Sequence, residues 1–355
     1  MDLSDDRKIL PGTGDGKRVI ETLVPQDREG TRLDCFLADR FTYRSRTQWQ
    51  KAVTEGEILL NGEKTRPSRV LRSGERLSFV PQESALEEPP VDMRYTLLLE
   101  RKDFLAVNKP PSIPVHPSGR FFAHTLLKVV EKDYGTLYPV NRLDRETSGV
   151  ILFARDPKSA KKLSRLFEER KVKKKYLAIV HGTFSFPPFT AKGLLTRDEK
   201  SVVEKKRRFI PDDDTVSFLR GEAAFPGALP RPGKKGHFPC EEAVTFFRAV
   251  KCGKSLSLVE AVPSTGRLHQ IRATLYSLGF PLAGDKLYGL DEELFLRHAK
   301  GCLTEEDQNK LLLSHQALHA WETRFFLPGE KEEIFLQAPL PEDFSFVSES
   351  FDAIL

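Results

Sequence analysis

The chain has 355 residues, 39% hydrophobic and 30% charged with 25 Phe, a globular composition with room for two or three domains that excludes a disordered or fibrous chain. Lys and Arg number 56 against 51 Asp and Glu, a net charge of +5 that permits a polyanionic partner without demanding one. Four scattered cysteines with no Cys-x-x-Cys pair argue against a disulfide framework or structural zinc, and no run of eighteen apolar residues marks a membrane span.

Residues 1–17, polar and glycine-bearing, read as a flexible tail, with no signal-peptide pattern; a soluble protein of the reducing cytoplasm is expected. Residues 18–80 read as a compact αβ unit. Leu33, Phe36, Leu37 and Phe41 recur at helical spacing. Ser45-Arg46-Thr47-Gln48 is a capping-box pattern that predicts a second helix carrying Trp49 and Val53, stopped by Gly56. Ile58-Leu59-Leu60 reads as a strand, Asn61-Gly62 as a hairpin turn, and Leu77-Ser78-Phe79 as a closing strand. From Thr31 to Phe79 there are ten Lys/Arg and six Asp/Glu, so most of the chain's surplus charge lies here. Arg44, Arg46 and Lys51 bracket the second helix's N-terminus, where the helix dipole also favours an anion. The pattern fits a nucleic-acid contact or a plain solvated helix end.

Residues 81–97, Pro-rich and acidic at their start, read as a linker. Residues 98–345 alternate strand-like and helix-like segments. Phe104–Val107, Val150–Phe153, Tyr176–Val180 and Leu256–Val262 read as strands; Thr125–Tyr134, a segment capped by Asp156-Pro157, and Arg267–Leu278 read as helices. Residues 190–240, with a basic run, an acidic run and many Pro and Gly, read as a surface insertion.

Three segments carry candidate chemistry. Asn141-Arg142-Leu143-Asp144-Arg145-Glu146-Thr147-Ser148-Gly149 places an acid between two arginines before a buried strand, which keeps the acid ionised; a surface ion pair in a turn reads as well. Lys173-Lys174-Lys175-Tyr176 opens a strand and closes a stretch, Lys161–Lys175, with eight Lys/Arg and two Glu. It fits a phosphate-tracking patch beside a functional tyrosine, or a solvated face beside a core tyrosine. Ser264-Thr265-Gly266-Arg267-Leu268-His269-Gln270-Ile271-Arg272 lies between a strand and a helix, and Arg267, at the helix start, can reach into a cleft while His269 reads equally as a structural hydrogen-bonding residue.

These segments, in this order, resemble the RluA-type RNA pseudouridine synthases, whose signature is His-Arg-Leu-Asp-x-x-Thr-Ser-Gly, Lys-x-Tyr and Gly-Arg-Thr-His-Gln-Ile-Arg. Asn108-Lys109-Pro110, Pro281-Leu282-Ala283-Gly284-Asp285 with Tyr288-Gly289, and Leu318-His319-Ala320 also fit. Asn141, Leu268 and Gln316 depart from the family's usual His, Thr and Arg. Residues 18–80 resemble the ribosomal-protein-S-four-type RNA-binding domain through Arg32-Leu33-Asp34, Ser45-Arg46, Glu55-Gly56, Leu60-Asn61-Gly62 and Ser73-Gly74-Glu75.

The resemblance implies an α+β protein: a small αβ RNA-binding module, then a mixed, largely antiparallel sheet with flanking helices. It implies isomerisation of uridine to pseudouridine in RNA, with no cofactor and no metal. Asp144 would be the catalytic carboxylate, Arg267 its partner, Tyr176 the tyrosine against the base, and Arg142 the residue that fills the gap left by the flipped uridine. Thr147, Arg44, Arg46, Lys51, Lys173, Lys174 and Lys175 would contact RNA. Ribosomal large-subunit RNA is the favoured partner, tRNA the alternative, and a monomer the default. Two other classes compete: a non-catalytic RNA-binding or ribosome-assembly protein on the same scaffold, and a metal-dependent hydrolase using His315 and His319 at helical spacing.

Overall fold

The computed structural model of the protein describes residues 8–10, 19–41, 44–79, 88–117, 121, 123–203, 205–222 and 240–349. The chain forms two compact units, one of residues 1–90 with 116–125, the other of residues 91–115 with 126–355.

In the smaller unit, strands β1 (Lys8–Leu10), β2 (Val19–Leu23), β3 (Ile58–Leu60), β4 (Glu63–Lys64) and β5 (Arg76–Phe79) form a sheet of order β1-β2-β5-β3-β4. Two helices, Leu33–Arg40 and Arg46–Glu55, supply the apolar cover. The capping box forms as the sequence predicts: the Gln48 N–H donates to Ser45 Oγ at 3.3 Å, and the Ser45 N–H donates to Gln48 Oε1 at 2.7 Å. Gly56 ends the helix at φ 80°. Leu33, Phe36, Leu37, Phe41, Trp49, Val53, Ile58, Leu77 and Phe79 share one core, each such side chain contributing about 1.5–3 kcal/mol. Part of the expected loose tail is strand, because Lys8–Leu10 pairs antiparallel with Val19–Leu23; residues 1–7 and 11–18 lie outside the described residues.

The larger unit is built on β6 (Thr96–Glu100), β7 (Phe104–Lys109), β8 (Tyr138–Pro139), β9 (Ser148–Ala154), β10 (Lys173–His181), β11 (Phe189–Arg197), β12 (Arg207–Pro211), β13 (Glu241–Cys252), β14 (Leu256–Pro263), β15 (Leu318–Phe326) and β16 (Glu333–Gln337). The main path runs β12-β11-β13-β14-β10-β15-β9-β7-β6, with β16 on β15 and β8 on β9. Among the described pairings only β15 with β9 is parallel, so the unit is α+β with a mixed, largely antiparallel sheet. The central strand β9 is buried along its whole length, as expected for an apolar run covered on both faces. Thr96 and Leu97 already belong to β6, two residues inside the expected linker; residues 81–87 lie outside the described residues.

The segment 190–240 is not a surface insertion throughout. Strands β11 and β12 extend the sheet, and Phe189, Ala191, Leu195 and Phe209 join its core together with Leu219 of helix Asp213–Gly221. Apolar residues at every second position of β11 face that core, a pattern masked in composition by the neighbouring charge runs. Residues 223–239 lie outside the described residues. Among those described, no helix is long and apolar enough to cross a membrane.

Candidate active site

Asp144 sits in the turn that enters β9, where the Thr147 N–H donates to the Asp144 carbonyl at 3.1 Å. The turn is braced from below by Lys109, a fully buried ammonium at the end of β7 that donates to the carbonyls of Pro110 (3.0 Å), Ile113 (2.8 Å) and Arg145 (2.8 Å). Burial brings Lys109 down to about 7, while the Asp144 and Glu146 carboxylates oppose the shift. Glu146 is fixed by Lys286 at 2.9 Å and by Arg145 at 3.0 Å. The turn ends at Gly149, whose φ is 112° and where a Cβ would lie 2.2 Å from the Ala320 carbonyl oxygen of β15. Only glycine allows the parallel pairing that sets the turn in place.

The partner of Asp144 is Arg272. Its Nη1 lies 2.6 Å from Asp144 Oδ2, while Nε and Nη2 hold both oxygens of Asp285 at 2.7 and 2.9 Å. Asp285 is fully buried and its Oδ1 also accepts the N–H groups of Leu287 and Tyr288, each at 2.9 Å. This two-pronged grip fixes the guanidinium so that one N–H points at Asp144. Burial pushes the Asp144 carboxyl up, but the charge and hydrogen bond of Arg272 oppose it, and the group lies below the usual carboxylate range. Oδ2 carries the Arg272 bond, and Oδ1 has no hydrogen-bond partner among the described residues.

The expected partner, Arg267, is elsewhere. Its Nη1 lies 3.5 Å from Glu241 Oε1 and its Nε donates to the Glu242 carbonyl at 3.4 Å. The physical reason is a later helix start: His269 takes φ 57°, and the helix runs only over Gln270–Ser277. That shift turns Arg272, not Arg267, toward Asp144. Arg272 and Asp285 were hidden from the sequence because a two-element ion pair has no local spacing; the only signal was their membership of matched family segments.

Tyr176, on β10 opposite Ala261 and Ala320, packs against the core and lies near enough to Asp144 to sense its charge. Burial first, and Asp144 second, push the phenol up, so it stays protonated at neutral pH. Arg142 is exposed and meets no carboxylate among the described residues. Thr147 is instead buried, its hydroxyl bonded to the Gln316 amide. Asn141 bonds the backbone of β9, accepting from Leu152 N–H at 2.8 Å. Among the lysines, Lys173 is exposed and Lys174 has no ion pair among the described residues. Lys175 is neutralised by Glu260 at 3.6 Å and Glu322 at 3.4 Å, which corrects its expected contact with RNA.

In the smaller unit Arg44 is held by Glu57 at 2.7 Å with its side chain 12% exposed, and its guanidinium lies 5.1 Å from the Trp49 ring centre. Arg46 is bound by Asp34 at 2.9 Å and Lys51 lies 3.7 Å from Glu55. Arg44 is therefore a structural residue rather than a free phosphate contact, while Lys51 stays largely in solvent. His315 and His319 do not share a helix. His315 Nε2 meets Asp343 at 2.9 Å, and His319, on β15, bonds Ser148 at 2.8 Å.

The family model described as RNA pseudouridylate synthase matches residues 103–277. A protein of Aquifex aeolicus named as an uncharacterized RNA pseudouridine synthase is 30% identical over 342 residues, covering 93% of this chain and 96% of that one. The chain belongs to the RNA pseudouridine synthase family. It is an isomerase acting on RNA. A ribosomal large subunit pseudouridine synthase D of Neisseria meningitidis is 29% identical, with 96% of this chain and 84% of that protein covered. The mitochondrial tRNA pseudouridine(32) synthase of Saccharomyces cerevisiae is 30% identical over 75% of this chain and 52% of its own length. The solved structure of human RNA pseudouridylate synthase domain containing 4 shares the fold, with a TM-score of 0.54, 24% identity, and 72% of this chain and 93% of that chain covered.

Proposed function

We propose that this synthase modifies uridines of large-subunit ribosomal RNA, as a monomer in the cytoplasm, with Asp144 as its catalytic carboxylate. The observation that carries the role of Asp144 is the division of labour between its two oxygens. Arg272 occupies Oδ2 at 2.6 Å and keeps the group charged, leaving Oδ1 unbonded. An anionic oxygen so held can add to C1′ of the nucleoside or take the C2′ proton to give a glycal; either route breaks the bond from N1 to the sugar. The uracil then turns, C5 bonds to C1′, and the C5 proton leaves while N1 gains one, so no net redox change or group transfer is required.

Tyr176, kept as a neutral phenol, offers the base a ring to pack on and an O–H for hydrogen bonding. Arg142, exposed and without a carboxylate partner among the described residues, is suited to take the place of the flipped nucleotide, whose extrusion costs a few kcal/mol. The smaller unit's similarity to an RNA-binding module, and the match to a ribosomal large subunit synthase over 96% of this chain and 84% of that protein, support ribosomal RNA as substrate. A tRNA is the second reading, supported by the yeast relative. Pseudouridine mapping in cells lacking the gene separates the two. For the chemistry, Asp144→Asn is expected to retain RNA binding and lose tritium release from C5-labelled uridine RNA by about 10³-fold or more; near-normal release would remove Asp144 from the role.

A further inference from the structure

His269 holds a backbone conformation that non-glycine residues seldom adopt, φ 57° and ψ 20°. That turn aims its ring between Tyr288 and Asp144. Nδ1 lies 3.0 Å from the Tyr288 hydroxyl, with the two rings edge to face at 79°. Tyr288 is fully buried, and its hydroxyl oxygen accepts the Arg207 backbone N–H at 2.8 Å. Among the described residues the phenol proton has one acceptor, Nδ1 of His269. A phenol that donates to Nδ1 fixes the neutral imidazole as the tautomer with its proton on Nε2. Lys206, its ammonium 5.9 Å from the Tyr288 ring centre and 4.6 Å from that of Tyr276, packs beside the phenol from the segment that precedes β12.

Nε2 lies 4.0 Å from Asp144 Oδ2, too far for a hydrogen bond, and that oxygen already accepts from Arg272. The His269 side chain is only 13% exposed. A largely buried N–H therefore stands beside the reactive carboxylate with no acceptor among the described residues. The groups around it are Arg272 and Arg207, which oppose a second proton on the ring as burial does, and Asp144 and Asp285, which favour one; the balance keeps the imidazole neutral.

We propose that His269 is a substrate-contacting residue whose Nε2–H donates to the 2′-hydroxyl of the target nucleotide, with Tyr288 as the positioning residue that fixes its tautomer. The proposal rests on Asp144 being the group that acts on the sugar. A carboxylate that works at C1′ or C2′ has the ribose against it, and the hydroxyl nearest both carbons is the one on C2′. The same hydroxyl distinguishes RNA from DNA, so the contact would also help the enzyme select its polymer.

The test is a binding cycle with the full-length chain. Asp144→Asn serves as the background because it allows equilibrium binding without turnover. Affinities are measured for one RNA bearing uridine or 2′-deoxyuridine at the target position, with His269 intact and with His269→Asn, which tolerates the left-handed backbone. With His269 intact, the ribose form is expected to bind about 5–10-fold tighter, the size of one neutral hydrogen bond. With His269→Asn that preference disappears. Tyr288→Phe, which leaves the site unoccupied by any new group, is expected to reduce the preference in the same direction. An equal preference for the ribose form in all three proteins overturns the proposal. A folding defect shared by both RNAs cancels in the ratio. Turnover by Asp144→Asn would sink the reading of Asp144 instead, and the tritium assay reports that separately.

Discussion

In the catalytic role proposed for Asp144, Arg272 sets the pH range over which the carboxylate stays charged. The carboxyl is subject to burial, which raises it, and to the Arg272 guanidinium, whose charge and hydrogen bond hold it below its ordinary value. Its charged form is therefore retained below the usual carboxylate value of about 3.9. A group with a depressed native value contributes stability above its unfolded value and loses it as pH falls through the folded one. The single-turnover rate of the wild type should accordingly stay level from neutrality down to about pH 5. Arg272→Gln removes the opposing charge and leaves burial dominant, so the acid limb should move up toward neutrality and the rate at pH 7 should fall about 100-fold or more. The same change strands buried Asp285 without its partner, at a cost of about 3–5 kcal/mol, so a lower melting temperature should accompany it. An acid limb unchanged in the folded variant would mean that Arg272 does not hold Asp144. Asp144 was legible in the sequence because its motif is contiguous. Arg272 was not, because one residue with positive φ, His269, delays the helix and changes which arginine faces inward.

At the level of elements, the site depends on how β9 is seated on β15. His319 pairs with Ser148 and Ala320 with Gly149 in parallel register, and Ser148 Oγ bonds His319 at 2.8 Å. Gly149→Ala would force a methyl to 2.2 Å from a backbone oxygen at a position with φ 112°, so the strands must separate. A loss of about 3 kcal/mol or more is expected, since overpacking and an unfavourable φ add. Thermal unfolding measures it, and a melting temperature within a degree or two of wild type would mean that the pairing is not needed. The strands of this region were readable because their apolar runs are short, β-branched and bounded by turn residues. β11 and β12 were less legible because charge runs flank them and mask the alternation of Phe189, Ala191 and Leu195, which the fold buries.

Across the whole molecule, a net charge of +5 on 355 residues is too small to explain RNA affinity by itself, so the placement of unpaired cations matters more than their number. Arg44, Arg46 and Lys175, three of the expected RNA contacts, are each tied to a carboxylate. Arg66 and Arg72 of the smaller unit are exposed, and their guanidinium groups have no ion pair among the described residues; only the Arg72 backbone N–H donates to a carboxylate, that of Glu75 at 2.7 Å. If that unit docks on RNA as its resemblance implies, these two cations release counterions on binding while the paired ones release fewer. Replacing both by Gln should weaken RNA binding and reduce the slope of log affinity against log salt by about 1–2, with kcat unchanged. Arg44→Gln supplies the contrast: its guanidinium is neutralised by Glu57 and packed on Trp49, so it should lower the melting temperature and leave the salt slope near its original value. A slope insensitive to the double replacement would place the electrostatic contact on the larger unit, where Lys173, Lys174 and Arg142 are among the cations with no ion pair among the described residues.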